Sequence, residues 1–156
     1  MSEPYKEQFE RVKRHLSRFD KIDSGQSHDK ASDYHKDDVY SFFQNCYHLK
    51  DWIKNDPSCS GVDVEAFINS TPDLQICADI CNGTKHLTLS RPRSTESPTF
   101  TGQHIRLNIQ DGFGVTEKID ISIKYTISTN SGDIDAFDLA KRCVAHWGGF
   151  ISANCP

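Results

Sequence analysis

Around residues 90–102 the apolar residues of this chain change period, and that switch constrains the fold more than any other feature. Before it they recur at three- and four-residue intervals, the signature of helices with one buried face. After it Ile105, Leu107 and Ile109 alternate with polar residues, as do Ile119, Ile121, Ile123, Tyr125 and Ile127. From Ala136 onward helical spacing returns. A two-residue period surrounded by a 3.6-residue one specifies a β-hairpin set into a helical protein.

The helical parts follow from their stripes. Tyr5, Phe9, Val12, Leu16 and Phe19 predict a helix over 4–19, and Val39, Phe42, Phe43, Cys46, Leu49 and Ile53 predict one over 34–55. "DKIDSGQSHDKASD" (20–33) reads as a loop with one isolated Ile. A short helix is expected over 62–69. Thr71-Pro72-Asp73 opens another, with Thr as N-cap, over 72–87. "DGFGVTE" joins the two strands of a hairpin spanning 103–128. Asp135 caps a last helix over 135–147, and Gly148-Gly149 is expected to end it. The fold class is therefore α+β, predominantly α: an antiparallel helical bundle with a β-hairpin inserted before the C-terminal helix, as a single domain over 1–156.

Length supports that reading, because a chain of 156 residues buries enough surface to fold without a staple. No run approaches the roughly 20 apolar residues of a membrane span, and the N-terminus lacks a secretory apolar core. A cytoplasmic protein with no membrane association is expected, with its six cysteines as thiols. C-x-x-C and C-x-x-C-H are absent, so the sequence implies no metal and no cofactor. A net charge of −4 argues against a nucleic-acid surface covering the whole molecule, but basic residues crowd the first helix, and Lys85, Arg91 and Arg93 form a second local group.

The segment "ICADICNGTKHLTL" carries the candidate site. On a helical wheel Gln75, Asp79, Asn82 and His86 share an arc of roughly 60°, bracketed by apolar residues. The arc is either a narrow solvent face or the wall of a cleft or subunit interface, where His86 can act as acid or base. Leu74, Cys77, Ala78 and Cys81 form the apolar face, so Cys77 and Cys81 are expected in the core and not as an i, i+4 metal pair. On the preceding helix His48 lies opposite the apolar stripe, beside Gln44, Asp51 and Trp52. Trp52 either meets a partner or is covered by the 20–33 loop or the hairpin. Across a two-fold axis His48, Asp51, Asp79 and His86 would converge.

Cys81-Asn82-Gly83-Thr84-Lys85-His86 has the frame R-N-x-x-x-H with its Asn and His in place and Cys at the Arg position. That frame resembles the signature of the HEPN superfamily (higher eukaryotes and prokaryotes nucleotide-binding domains), and "YHLKDWI" and "DAFDLAKRCVAHW" resemble an uncharacterised bacterial branch. The resemblance implies a helical bundle, usually a homodimer. It also implies either a metal-independent endoribonuclease of bacterial defence or toxin–antitoxin systems or a non-catalytic module. On that resemblance His86 assists attack of the ribose 2′-hydroxyl and Asn82 takes the motif Asn role; the helical faces add Asp79 to the catalytic candidates, and Lys85, Arg91, Arg93, His48 and Asp51 as substrate-binding candidates. Cys81 cannot supply the charge that Arg gives to the transition state, a loss of about 10²–10³ in rate. The alternative is a non-catalytic, dimerising protein- or nucleotide-binding helical module. A small metal-dependent hydrolase built on His48, Asp51, Asp79 and His86 comes third.

Overall fold

A computed structural model describes residues 3–27, 32–86, 91–110 and 118–156, without the side chains at 26, 27, 32, 33, 85, 86, 103–110 and 118–121. Helix α1 (Pro4–Ser24) packs antiparallel to α2 (Ser32–Asn55), followed by a 3₁₀ turn at Pro57–Cys59, α3 (Val64–Asn69) and α4 (Pro72–His86). Strands β2 (Thr99–Gln110) and β3 (Lys118–Thr129) form the hairpin, β4 (Gly132–Asp135) turns back along β3, and α5 (Ala136–Asn154) closes the chain. A two-residue strand β1 (Gln26–Ser27) also pairs with β3, so β3 is central in an antiparallel sheet. The predominantly helical α+β class matches the sequence expectation.

The stripes read from the sequence are the core. Tyr5, Val12, Phe19, Val39, Phe42, Phe43, Cys46, Leu49 and Ile53 are all buried. Phe19 meets Phe42 and Phe43 with ring centroids 6.1 and 6.4 Å apart. Register in the hairpin places Ile105 opposite Ile123 and Leu107 opposite Ile121, and a bulge between Phe100 and Gly102 shifts the lower part. Ile123, Tyr125 and Ile127 turn into the core while Lys124 faces out, as a period of two requires. The connection 111–117, expected as the hairpin loop, lies outside the described residues.

Helix ends are set by tertiary partners. Asp56 accepts from the backbone N–H of Tyr5 at 3.1 Å and from that of Ser58 at 2.9 Å, so one carboxylate ties the start of α1 to the end of α2. Its own burial raises its pKa, but the hydrogen bonds from Ser58 and Tyr5 outweigh that and hold it below the usual carboxylate range. Asp63 caps α3 through Ala66 N–H, and Asp135 caps α5 through Asp138 N–H, each at 2.9 Å. Thr71 was expected to cap α4 with its hydroxyl; that hydroxyl donates instead to the Phe67 carbonyl at 2.7 Å, closing α3.

Four expectations are corrected. The region 20–33 is not all loop: α1 runs to Ser24, Ile22 is core, and Asp23 pairs with Lys124 of β3 at 2.5 Å. Gly148-Gly149 does not end α5, which continues to Asn154. Two glycines cost about 2 kcal/mol in a helix interior; here Phe150 stacks on Phe67 at 4.3 Å and Trp147 lies 5.6 Å from the same ring, which holds the last turns. The cover on Trp52 within the chain comes from α1: the ring packs partly buried against the core with the Arg11 guanidinium 5.5 Å above it. Finally, the cysteines are not all thiols. Continuing α5 brings Cys155 over the 3₁₀ turn, where it forms a disulfide with Cys59 across a Cα–Cα distance of 5.0 Å. No helix among the described residues is long and apolar enough to cross a membrane.

Candidate functional site

Asp79 is the residue of the α4 arc whose surroundings differ most from a solvent face or cleft. It is only 2% exposed. One carboxylate oxygen accepts from Arg93 N–H at 2.7 Å, and the other from Ser94 N–H at 3.0 Å and the Ser94 hydroxyl at 2.5 Å. Both oxygens are thus committed to fastening the irregular segment after α4 onto the helix. The three convergent donors leave it no open side from which to reach a substrate.

The other candidates separate into two groups on either side of Asp79. Arg93 and Glu65 form an ion pair at 2.7 Å, and Lys50 joins the same carboxylate at 2.9 Å. The Tyr47 ring carries both cations, with Lys50 Nζ 4.9 Å and the Arg93 guanidinium 5.6 Å from its centroid. Arg93 therefore joins α3, α2 and the segment after α4, and is not held out for phosphate. Asp51 is exposed beside Lys50 at 3.8 Å. Gln75 donates to the Asn69 carbonyl at 2.6 Å.

Burial raises the Glu65 pKa, but hydrogen bonds from Lys50 and Arg93 outweigh it and set the folded value below the ordinary one. A depressed carboxylate contributes stability that is complete above its unfolded pKa of about 4.3 and is lost as pH falls through the folded value. Glu65→Gln is expected to cost about 1 kcal/mol at pH 7, the pair being partly exposed. Urea titrations of the two proteins should converge on acidification to about pH 3.

On the second side His48 meets Cys81. The imidazole Nε2 lies 3.7 Å from Cys81 Sγ. A thiol beside an imidazole is the pairing of a cysteine nucleophile with its base, but this sulfur is 4% exposed and closes the seam between α2 and α4. Cys81, which stands at the Arg position of the HEPN frame, thus offers neither charge nor an open nucleophile. Within the protomer His48 faces Cys81, whereas Asp79 faces Arg93 and Ser94. Asn82 is partly buried and Arg91 is exposed. Lys85 and His86 complete the backbone of α4, and their side chains lie outside the described residues.

One turn along the same seam the surface opens into a groove of about 850 Å³ between α2, α4 and the start of β2. Tyr40 and Phe100 form an aromatic corner, edge to face at 5.1 Å. Ser41, Gln44, Thr84 and Asp37 supply hydroxyl, amide and carboxylate groups around it. Gln44 donates to the Thr84 hydroxyl at 3.1 Å, which joins the two helices along the groove. Gly83 and Thr84 belong to the CNGTKH segment, so the groove abuts the singled-out motif on a face the wheel did not identify. Gln44 was visible in the sequence beside His48. Tyr40, Thr84 and Phe100 were not, because they sit on three elements and share no period.

Such a groove suits a planar ligand. Its volume lies within the 300–1,000 Å³ common for small-molecule sites. Lys36 sits outside it, with Nζ 5.8 Å from the Tyr40 ring, where an anionic group of a ligand would emerge. Comparison with family models, curated proteins and solved structures finds no match to this chain.

Proposed function

We propose that this chain is a HEPN-like, nuclease-derived module that binds a nucleotide of RNA in the groove between α2 and α4 without cleaving it. The observation that carries the reading is the groove itself: an aromatic corner flanked by neutral and anionic hydrogen-bonding groups. A nucleobase has a π-face to stack and an edge of donors and acceptors, and single-stranded RNA is read through both. Gln44, Ser41 and Thr84 match the edge, and Asp37 accepts from an exocyclic amine. Phosphate falls outside, toward Lys36. A homodimer enters this reading through the HEPN resemblance.

Cleavage is left out on two observations. Asp79 is committed to Arg93 and Ser94, and Cys81 replaces the motif Arg while facing His48. Fluorescence anisotropy with a labelled single-stranded oligoribonucleotide tests the binding. Saturable binding is expected, weakened about 5- to 150-fold by Tyr40→Ala, since one base–aromatic stack contributes about 1–3 kcal/mol. Arg142→Ala, on the far side of α5, should bind as the parent does. A folded protein with no saturable binding contradicts the proposal, as does equal binding by Tyr40→Ala.

A further inference from the structure

We propose that Cys46, Cys77 and Cys143 form a buried trigonal site for one soft monovalent metal ion, copper(I) in character. The three Sγ atoms lie within 4.8 Å of one another, although the residues come from α2, α4 and α5 and are far apart in sequence. A metal–sulfur bond of about 2.3 Å places three sulfurs of a trigonal site about 4 Å apart. Closing the cluster on an ion therefore takes shifts of less than about 1 Å, within reach of cysteine χ1 adjustments. All three residues are fully buried.

A second observation points into the same cluster. The Trp147 indole N–H is completely buried and makes no hydrogen bond of ordinary geometry. The polar group it acts on is the sulfur of Cys46. A buried indole N–H normally finds an acceptor; a metal-bound thiolate is a better one than a thiol. A monovalent ion bound with loss of one thiol proton forms a neutral pair with the resulting thiolate, the least costly charge state for an apolar core.

The donor set also selects the ion. Thiolates favour soft metals, copper(I) and zinc among them. Zinc adds a fourth ligand, and no fourth Cys, His, Asp or Glu joins this cluster among the described residues. Two backbone carbonyls accept the thiol hydrogens, Phe43 from Cys77 and Asp73 from Cys143, each at 3.5 Å. Asp73 also marks a way in. Its carboxylate holds His146 at 2.9 Å and Arg142 at 3.2 Å at the surface, while its carbonyl touches Cys143. The ion enters as a single positive charge, one sulfur–hydrogen bond of the cluster breaks, and that proton leaves to solvent, so uptake strengthens as pH rises.

The test is anaerobic transfer of copper(I) from a colorimetric chelator to the protein, carried out with Cys59→Ser/Cys155→Ser so that no thiols arise from the disulfide. One ion per chain is expected, with X-ray absorption showing a shell of three sulfurs. Trp147 fluorescence should respond in a Trp52→Phe background. Cys46→Ala should lower affinity at least tenfold, and Cys81→Ala should leave it unchanged. Zinc(II) in the same competition should bind more weakly. If Cys46→Ala fails to fold, the sulfur count and Trp147 response in the parent decide. No transfer to folded protein, fewer than three sulfurs, unchanged uptake by a folded Cys46→Ala protein, or tighter zinc binding would each overturn the assignment.

Discussion

Asp79→Ala should lower the unfolding free energy by about 3 kcal/mol or more in urea titrations at pH 7. The substitution removes a carboxylate that accepts from Arg93 N–H, Ser94 N–H and the Ser94 hydroxyl, all at 3.0 Å or less. Hydrogen bonds to a charged group contribute about 1.5–3 kcal/mol each, and buried donors left without an acceptor add a desolvation cost. The bonds are coupled, so their sum is an upper bound. Asp79→Asn keeps the shape and some acceptors and should lose less. The contrast with a cleft residue is sharp, since such a residue could be truncated with little effect on folding. A change below about 0.5 kcal/mol would mean that Asp79 does not fasten the segment after α4.

The second large effect concerns the disulfide. Cys59 and Cys155 are 96 residues apart in sequence, so their bond closes a loop over more than half of the chain. Chain-entropy arguments assign such a closure about 4–5 kcal/mol, drawn from the unfolded state. Reductant should shift the urea midpoint of the oxidised protein downward by a corresponding amount. Cys155→Ser should start at the reduced midpoint and ignore reductant. The end of α5 is the first region expected to loosen, because Phe150 and Trp147 pack on Phe67 of α3 just ahead of the bond. Identical midpoints with and without reductant would contradict the pairing.

What the sequence made legible, and what it did not, follows from the range of the interactions. Val39, Phe42, Phe43, Cys46, Leu49 and Ile53 write their helix in their spacing because one helical face is buried along its whole length. Ile123, Tyr125 and Ile127 do the same for a strand. Cys77 and Cys81 fall in the core because their face of α4 is apolar on both sides. Ile22 was misread since a single apolar residue has no period. Gly148 and Gly149 were misread since propensity is a local cost of about 1 kcal/mol per glycine, whereas the rings around Phe67 act from a distance.

The site was harder still. The wheel correctly grouped Asp79 with one side of α4, but its partner Ser94 lies in a segment without periodicity, so the covering of that carboxylate left no trace in the pattern. The groove unites Tyr40, Gln44, Thr84 and Phe100 only once α2, α4 and β2 have packed. The cluster of Cys46, Cys77 and Cys143 is likewise a product of packing: each reads as one small apolar residue on its own helix.

The central claim is that RNA is held at the α2–α4 groove and left intact. It is tested most directly by titrating ¹⁵N-labelled protein with a short single-stranded RNA in the presence of chelator, then examining the same RNA for breaks. Progressive amide shifts at Gln44, Gly83 and Thr84, with full-length RNA recovered, are the expected result. Shifts confined to other surfaces, or cleavage that persists in chelator and disappears in His86→Ala, would contradict it.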